Sequence, residues 1–75
     1  MIAVSGQAYE WKGGDMLVTC TGGDSTMEIN RDDTGYVPVS GGEVTAGVIP
    51  AEASVWVLLK PCLVRWTGAG TVSFG

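Results

Sequence analysis

The chain has 75 residues, length for one domain and no more. A domain of this size buries only about 60% of the surface its unfolded chain exposes, so its core supplies a thin margin of stability. Hydrophobic residues make up 45%, charged residues only 16%, and the net charge is −4. So few charges leave apolar patches uncovered on a lone monomer, and an acidic chain whose cations are the scattered Lys12, Arg31, Lys60 and Arg65 lacks the footprint for nucleic acid. No basic segment followed by an apolar run opens the sequence. The longest apolar run, Val55 to Leu59, falls far short of the roughly 20 residues a membrane helix needs. The expectation is a partner-bound protein that engages neither nucleic acid nor membrane, requires no cofactor, and adds stability by association.

In chain order, Val4 to Trp11 reads either as a first strand or as an extended arm. Residues 1–15 are assigned to that arm or strand, and 16–75 to the domain proper. If extended, the segment points Tyr9 and Trp11 the same way, a device for gripping a neighbour. Met16 to Thr21 alternates, with Met16, Val18 and Cys20 on one face, and Gly22–Ser25 turns the chain. Thr26 to Asn30 follows, with Met27 and Ile29 inward and Glu28 and Asn30 in water. The corner Arg31–Gly35 reverses the chain into Tyr36–Val39, a short strand confined to a sheet edge because Pro38 cannot donate to a ladder.

Beyond Gly41-Gly42, Val44, Ala46 and Val48 are expected on one side of a strand, and Pro50–Ala53 is a connection. Ser54 to Lys60 is the most apolar strand and reads as buried on both faces, hence central. Cys62–Thr67 and Thr71–Phe74 read as a closing hairpin over Gly68-Ala69-Gly70. Turn signals at intervals of roughly 8–12 residues, with β-branched runs between, define an all-β chain. The predicted fold is a small antiparallel β-sandwich or flattened barrel of about seven short strands.

Chemistry is sparsely represented. There is no histidine, so Cys20 and Cys62 lack an ordinary base, and two cysteines far apart in the chain do not make a zinc site. They read as reduced core thiols or as one bridge. Residues 30–35 resemble the start of a calcium loop, but Gly41 stands where its bidentate Glu belongs, and a turn with side-chain hydrogen bonds explains the same residues. Trp56 and Trp66 read as core, with sugar stacking the alternative. No catalytic residue is assigned. The candidate partner contacts are Tyr9, Trp11, Tyr36, Val37 and Val39, on the arm and on an edge strand able to pair with a partner strand. Arg65, opposite Val64 and Trp66, is expected to be solvated or salt-bridged.

The stretch Ile49-Pro50-Ala51, and then Leu59-Lys60-Pro61-Cys62-Leu63-Val64-Arg65-Trp66-Thr67-Gly68-Ala69-Gly70-Thr71-Val72-Ser73, resembles the ending of small β-sandwich structural proteins of tailed bacteriophages. In that cadence a leucine–x–proline–x–x–valine–arginine step leads into a strand, a threonine–glycine turn and a last strand. Trp11-Lys12-Gly13-Gly14-Asp15-Met16-Leu17-Val18-Thr19 is similar as well. Cys62 and Trp66 depart from the pattern, standing where small or polar residues are expected. The resemblance implies a virion protein made in the host cytoplasm. Its expected role is capsid decoration or cement bound to the major capsid protein or another virion protein, as a homo-oligomer, a trimer at local symmetry axes being one such arrangement. A tail or head-fibre module and a host-directed inhibitor are the alternatives.

Overall fold

In the computed structural model, which describes residues 1–31 and 35–75, the chain is a small antiparallel β-sandwich. Among the described residues there are nine strands and no helix. One sheet contains β1 (Ile2–Ala3), β3 (Gly14–Thr21), β7 (Ala53–Leu59) and β9 (Thr71–Phe74), in the order β1-β9-β3-β7. The other contains β2 (Tyr9–Trp11), β4 (Ser25–Asn30), β5 (Val37–Pro38), β6 (Val48–Ile49) and β8 (Cys62–Gly68), in the order β2-β8-β4-β5, with β6 also on β4.

The period-two alternation of β3, β4, β8 and β9 sets the core. Met16, Val18 and Cys20 meet Met27, Val64 and Trp66 from the opposite sheet, and all six are essentially inaccessible. The ring of Trp66 lies 4.6 Å from that of Phe74 and 6.3 Å from that of Tyr9, an aromatic cluster joining the two layers. Such tilted ring pairs add to simple area burial.

Four expectations are corrected. Cys62–Thr67 and Thr71–Phe74 do not form a hairpin: β8 and β9 lie in different sheets, and the Gly68–Gly70 turn carries the chain across the core. Ser54–Lys60 is not a central strand buried on both faces, because β7 is the last strand of its sheet and only one of its faces packs inward. Trp56 is accordingly exposed, unlike Trp66. The segment after Gly42 is not a strand with Val44, Ala46 and Val48 aligned. Left-handed backbone at Ala46 (φ 54°) and Gly47 (φ 75°) turns it, leaving Val44 buried and Val48 exposed. At Gly47 a Cβ would stand 2.6 Å from the Met27 carbonyl oxygen, so close approach and positive φ both demand glycine.

The first fifteen residues are folded in. β1 pairs with β9, β2 pairs with β8, and the Gly6 amide donates to the Trp66 carbonyl at 2.8 Å. Pro38 does lie in an edge strand, β5, as a residue without an amide proton must.

Candidate docking face

The same alternation that buries Met16, Val18 and Cys20 turns Asp15, Leu17 and Thr19 outward. On β7, burying Val57 and Leu59 turns Ser54, Trp56 and Leu58 outward. The β3–β7 register sets Leu17 opposite Trp56, Asp15 opposite Leu58 and Thr19 opposite Ser54. Three large apolar side chains therefore adjoin on the outer face of the first sheet, with Trp56 52%, Leu58 63% and Leu17 36% exposed. A hydroxyl pair bounds them on one side, Thr19 Oγ1 to Ser54 Oγ at 2.8 Å, and Asp15 on the other. With fully exposed aromatic side chains near 250 Å², the trio offers on the order of 300 Å² of apolar surface. That matches the largest patch of a typical monomer, which is often functional.

The outer face of the second sheet is different in kind. Arg65 Nε donates to Glu28 Oε1 at 3.0 Å, and the guanidinium lies 3.8 Å above the centre of the Tyr36 ring. Arg65 is thus salt-bridged, as its position in the alternation led one to expect, and these contacts leave Glu28 half-buried. The Arg65–Glu28 pair is satisfied within the chain, and Glu10 of β2, opposite Leu63 on the same face, is exposed.

The residues expected to contact a partner are not brought together. Tyr9 and Trp11 lie on β2, at one edge of the second sheet; Tyr36 and Val37 lie at the other edge, with β8 and β4 between. The Tyr9 hydroxyl accepts the Val4 amide at 2.8 Å and its ring packs 5.1 Å from that of Phe74, while Trp11 Nε1 donates to the Gly14 carbonyl at 3.3 Å. Both rings fasten the N-terminal strands. Val37 is exposed, but Val39 is fully buried and cannot be a surface contact. Its amide donates to Met27 and its carbonyl accepts from Gly47, which draws the side chain into the core.

Two clefts flank the pole where β2, β7 and β8 meet their turns. One, of about 480 Å³, is lined by Glu10, Trp11, Lys12, Asn30, Cys62 and Leu63 among others. Partial burial pushes the Cys62 thiol above its ordinary pKa, with Arg31 opposing the rise, the reverse of what an activated thiol needs. The second, of about 430 Å³, lies beside Leu58 between Ile29, Leu59 and Lys60. Among the described residues no three His, Cys, Asp or Glu side chains gather as metal ligands. The calcium-like corner at 30–35 includes Asp32, Asp33 and Thr34, which lie outside the described residues.

Cys20 and Cys62 are both free thiols. Cys62 pairs with Trp11 beside the start of β3, whereas Cys20 sits six residues further along that strand. At 3.3 Å per residue the separation is about 20 Å, far beyond a bridge. Cys20 instead donates to the Gly23 carbonyl at 2.9 Å and lies 3.3 Å from Ser25 Oγ.

Set against known proteins, the chain matches no family model, no curated protein and no solved structure.

Proposed function

We propose that this chain is a non-enzymatic structural module that docks onto a larger protein assembly through the outer face of its first sheet. Within that class, the resemblance of its C-terminal half to small β-sandwich proteins of tailed phages favours a capsid decoration or cement protein, resident in the virion. The observation that carries the reading is the exposed trio Leu17, Trp56 and Leu58, adjoining on the outer face of the first sheet. A footprint of standard size buries about 800 Å² on each partner, so the trio serves as the central anchor and the surrounding hydroxyls and Asp15 as the rim. Tryptophan is among the residues most enriched at such anchors.

Co-sedimentation with purified particles of the encoding phage, depleted of this chain, tests the proposal. The wild-type chain is expected to pellet with the particles. The double variant W56S/L58S is expected to keep its fold, because both side chains lie on the outer face, half or more exposed and outside the core, and to lose at least about a hundredfold in affinity, as removal of two anchor residues predicts. Failure of the wild type to pellet, or equal pelleting of the variant, contradicts the reading.

A further inference from the structure

β7 is an edge strand, and its sequence, Ala53-Ser54-Val55-Trp56-Val57-Leu58-Leu59, contains no charge, no proline and no glycine. Sheet edges are normally blunted by charged side chains and proline. A seven-residue β-branched and aromatic segment without a charge is the composition that pairs most readily with another copy of itself. Something else must protect this edge.

The protection is a short turn. Gly41 and Val44 bridge each other, with N···O distances of 3.0 and 3.2 Å, and buried Val44 anchors the turn to the core. Between them Glu43 takes the place of a neighbouring strand. Its amide donates to the Trp56 carbonyl at 2.8 Å, and its Oε1 accepts the Trp56 amide at 2.8 Å. Leu17, across from Trp56, turns its own amide and carbonyl away to Gly75, at 2.9 and 3.1 Å. The outward groups of Trp56 are therefore those of a free strand edge, closed by one residue. Gly42 makes the closure tight: with φ of 62°, a Cβ there would collide with the Trp56 carbonyl oxygen and stand 3.2 Å from the Leu58 nitrogen.

We propose that the β7 edge is a latent strand-addition site for a second copy of this chain, held shut by Glu43. Antiparallel pairing of two β7 strands about Trp56 sets Trp56 against its counterpart and Ser54 against Leu58 of the other copy, joining two four-stranded sheets into one. No like charges face each other in that arrangement, because the segment has none. The inference rests on the edge and its plug, and is independent of what the outer face binds.

Variants E43A, E43Q and G42A, followed by sedimentation over a wide concentration range and by amide hydrogen exchange, test it. E43A removes the acceptor. At low concentration its Trp56 amide is expected to exchange about ten- to a hundredfold faster, the loss expected for a hydrogen bond to a charged acceptor. At high concentration it is expected to sediment as a dimer, with the Trp56, Ser54 and Leu58 amides protected again. G42A leaves the carboxylate in place but forces the turn off the strand, and is expected to dimerise likewise. E43Q retains a carbonyl oxygen and is expected to stay closed. Two results overturn the proposal: monomeric E43A and G42A with wild-type exchange at Trp56, or association that leaves those three amides unprotected.

Discussion

Replacing Trp66 with alanine is expected to destabilise the protein by about 3–5 kcal/mol, the range for deleting a buried tryptophan side chain. Domains carry about 0.05–0.15 kcal/mol of stability per residue, or roughly 4–11 kcal/mol for a chain of this length, so a large share of the margin goes with that one side chain. Trp66 is the largest fully buried side chain and the contact through which β8 reaches Phe74 of the opposite sheet. Few neighbours are free to collapse into the hole, because the first sheet closes over it with short strands on a fixed register. Its indole Nε1–H is buried with no hydrogen-bond partner among the described residues, an unpaired donor that costs stability in its own right. W66F keeps a ring and removes that donor, so it is expected to cost far less than W66A. Urea unfolding followed by the fluorescence of the remaining tryptophans, Trp11 and Trp56, compares the two variants. Equal, small losses for both would show that the aromatic cluster does not hold the layers together.

G70A is expected to cost about 3 kcal/mol, at the upper end of the range for overpacking. Gly70 is the last residue of the turn that carries the chain from β8 to β9. A Cβ there would run into the Gly23 carbonyl oxygen and the Cys20 sulfur, and stand 2.8 Å from Ser25 Oγ. The carbonyl belongs to backbone in the other crossing turn, and Cys20 Sγ is tied to it by a hydrogen bond, so neither yields without moving a strand end. The neighbouring G75A is the control: nothing stands within 4 Å of a Cβ at Gly75, and no measurable change is expected. Thermal unfolding of the pair reads the difference. A melting temperature for G70A equal to that of G75A would mean that the two turns are not packed against each other.

The pattern of the chain carried the strands but not their partners. Met16-Val18-Cys20, Met27-Ile29 and Val64-Trp66 alternate cleanly, and each lies inward as that alternation requires. Alternation is identical for a hairpin and for a crossing between layers, so the assignment of β8 and β9 to separate sheets had no local signal; it lies in Gly70, whose need for space depends on a distant turn. The role of β7 failed for a related reason. Apolar residues on both parities suit a strand covered on both faces, but a chain of this size without a helix among its described residues has no layer to place over a second face. Trp56 and Leu58 were the surplus, and that surplus is the candidate docking face. Tyr9 and Trp11 read equally as aromatics of a first strand or of an arm because short pairings such as β2 with β8 leave almost no trace in three residues. Val39 follows a proline at a sheet edge, which suggests exposure; its burial comes from the turn ending at Gly47, where left-handed backbone at Ala46 and Gly47 folds the chain back beside Met27.

The proposed role as a structural component of a virion lattice is tested most directly by quantitative mass spectrometry of purified particles of a phage whose genome carries this sequence, with this chain counted against the major capsid subunit. A copy number of the same order as that subunit is the result predicted for a decoration or cement protein. Absence of the chain from particles that contain their full complement of capsid and tail proteins would contradict it.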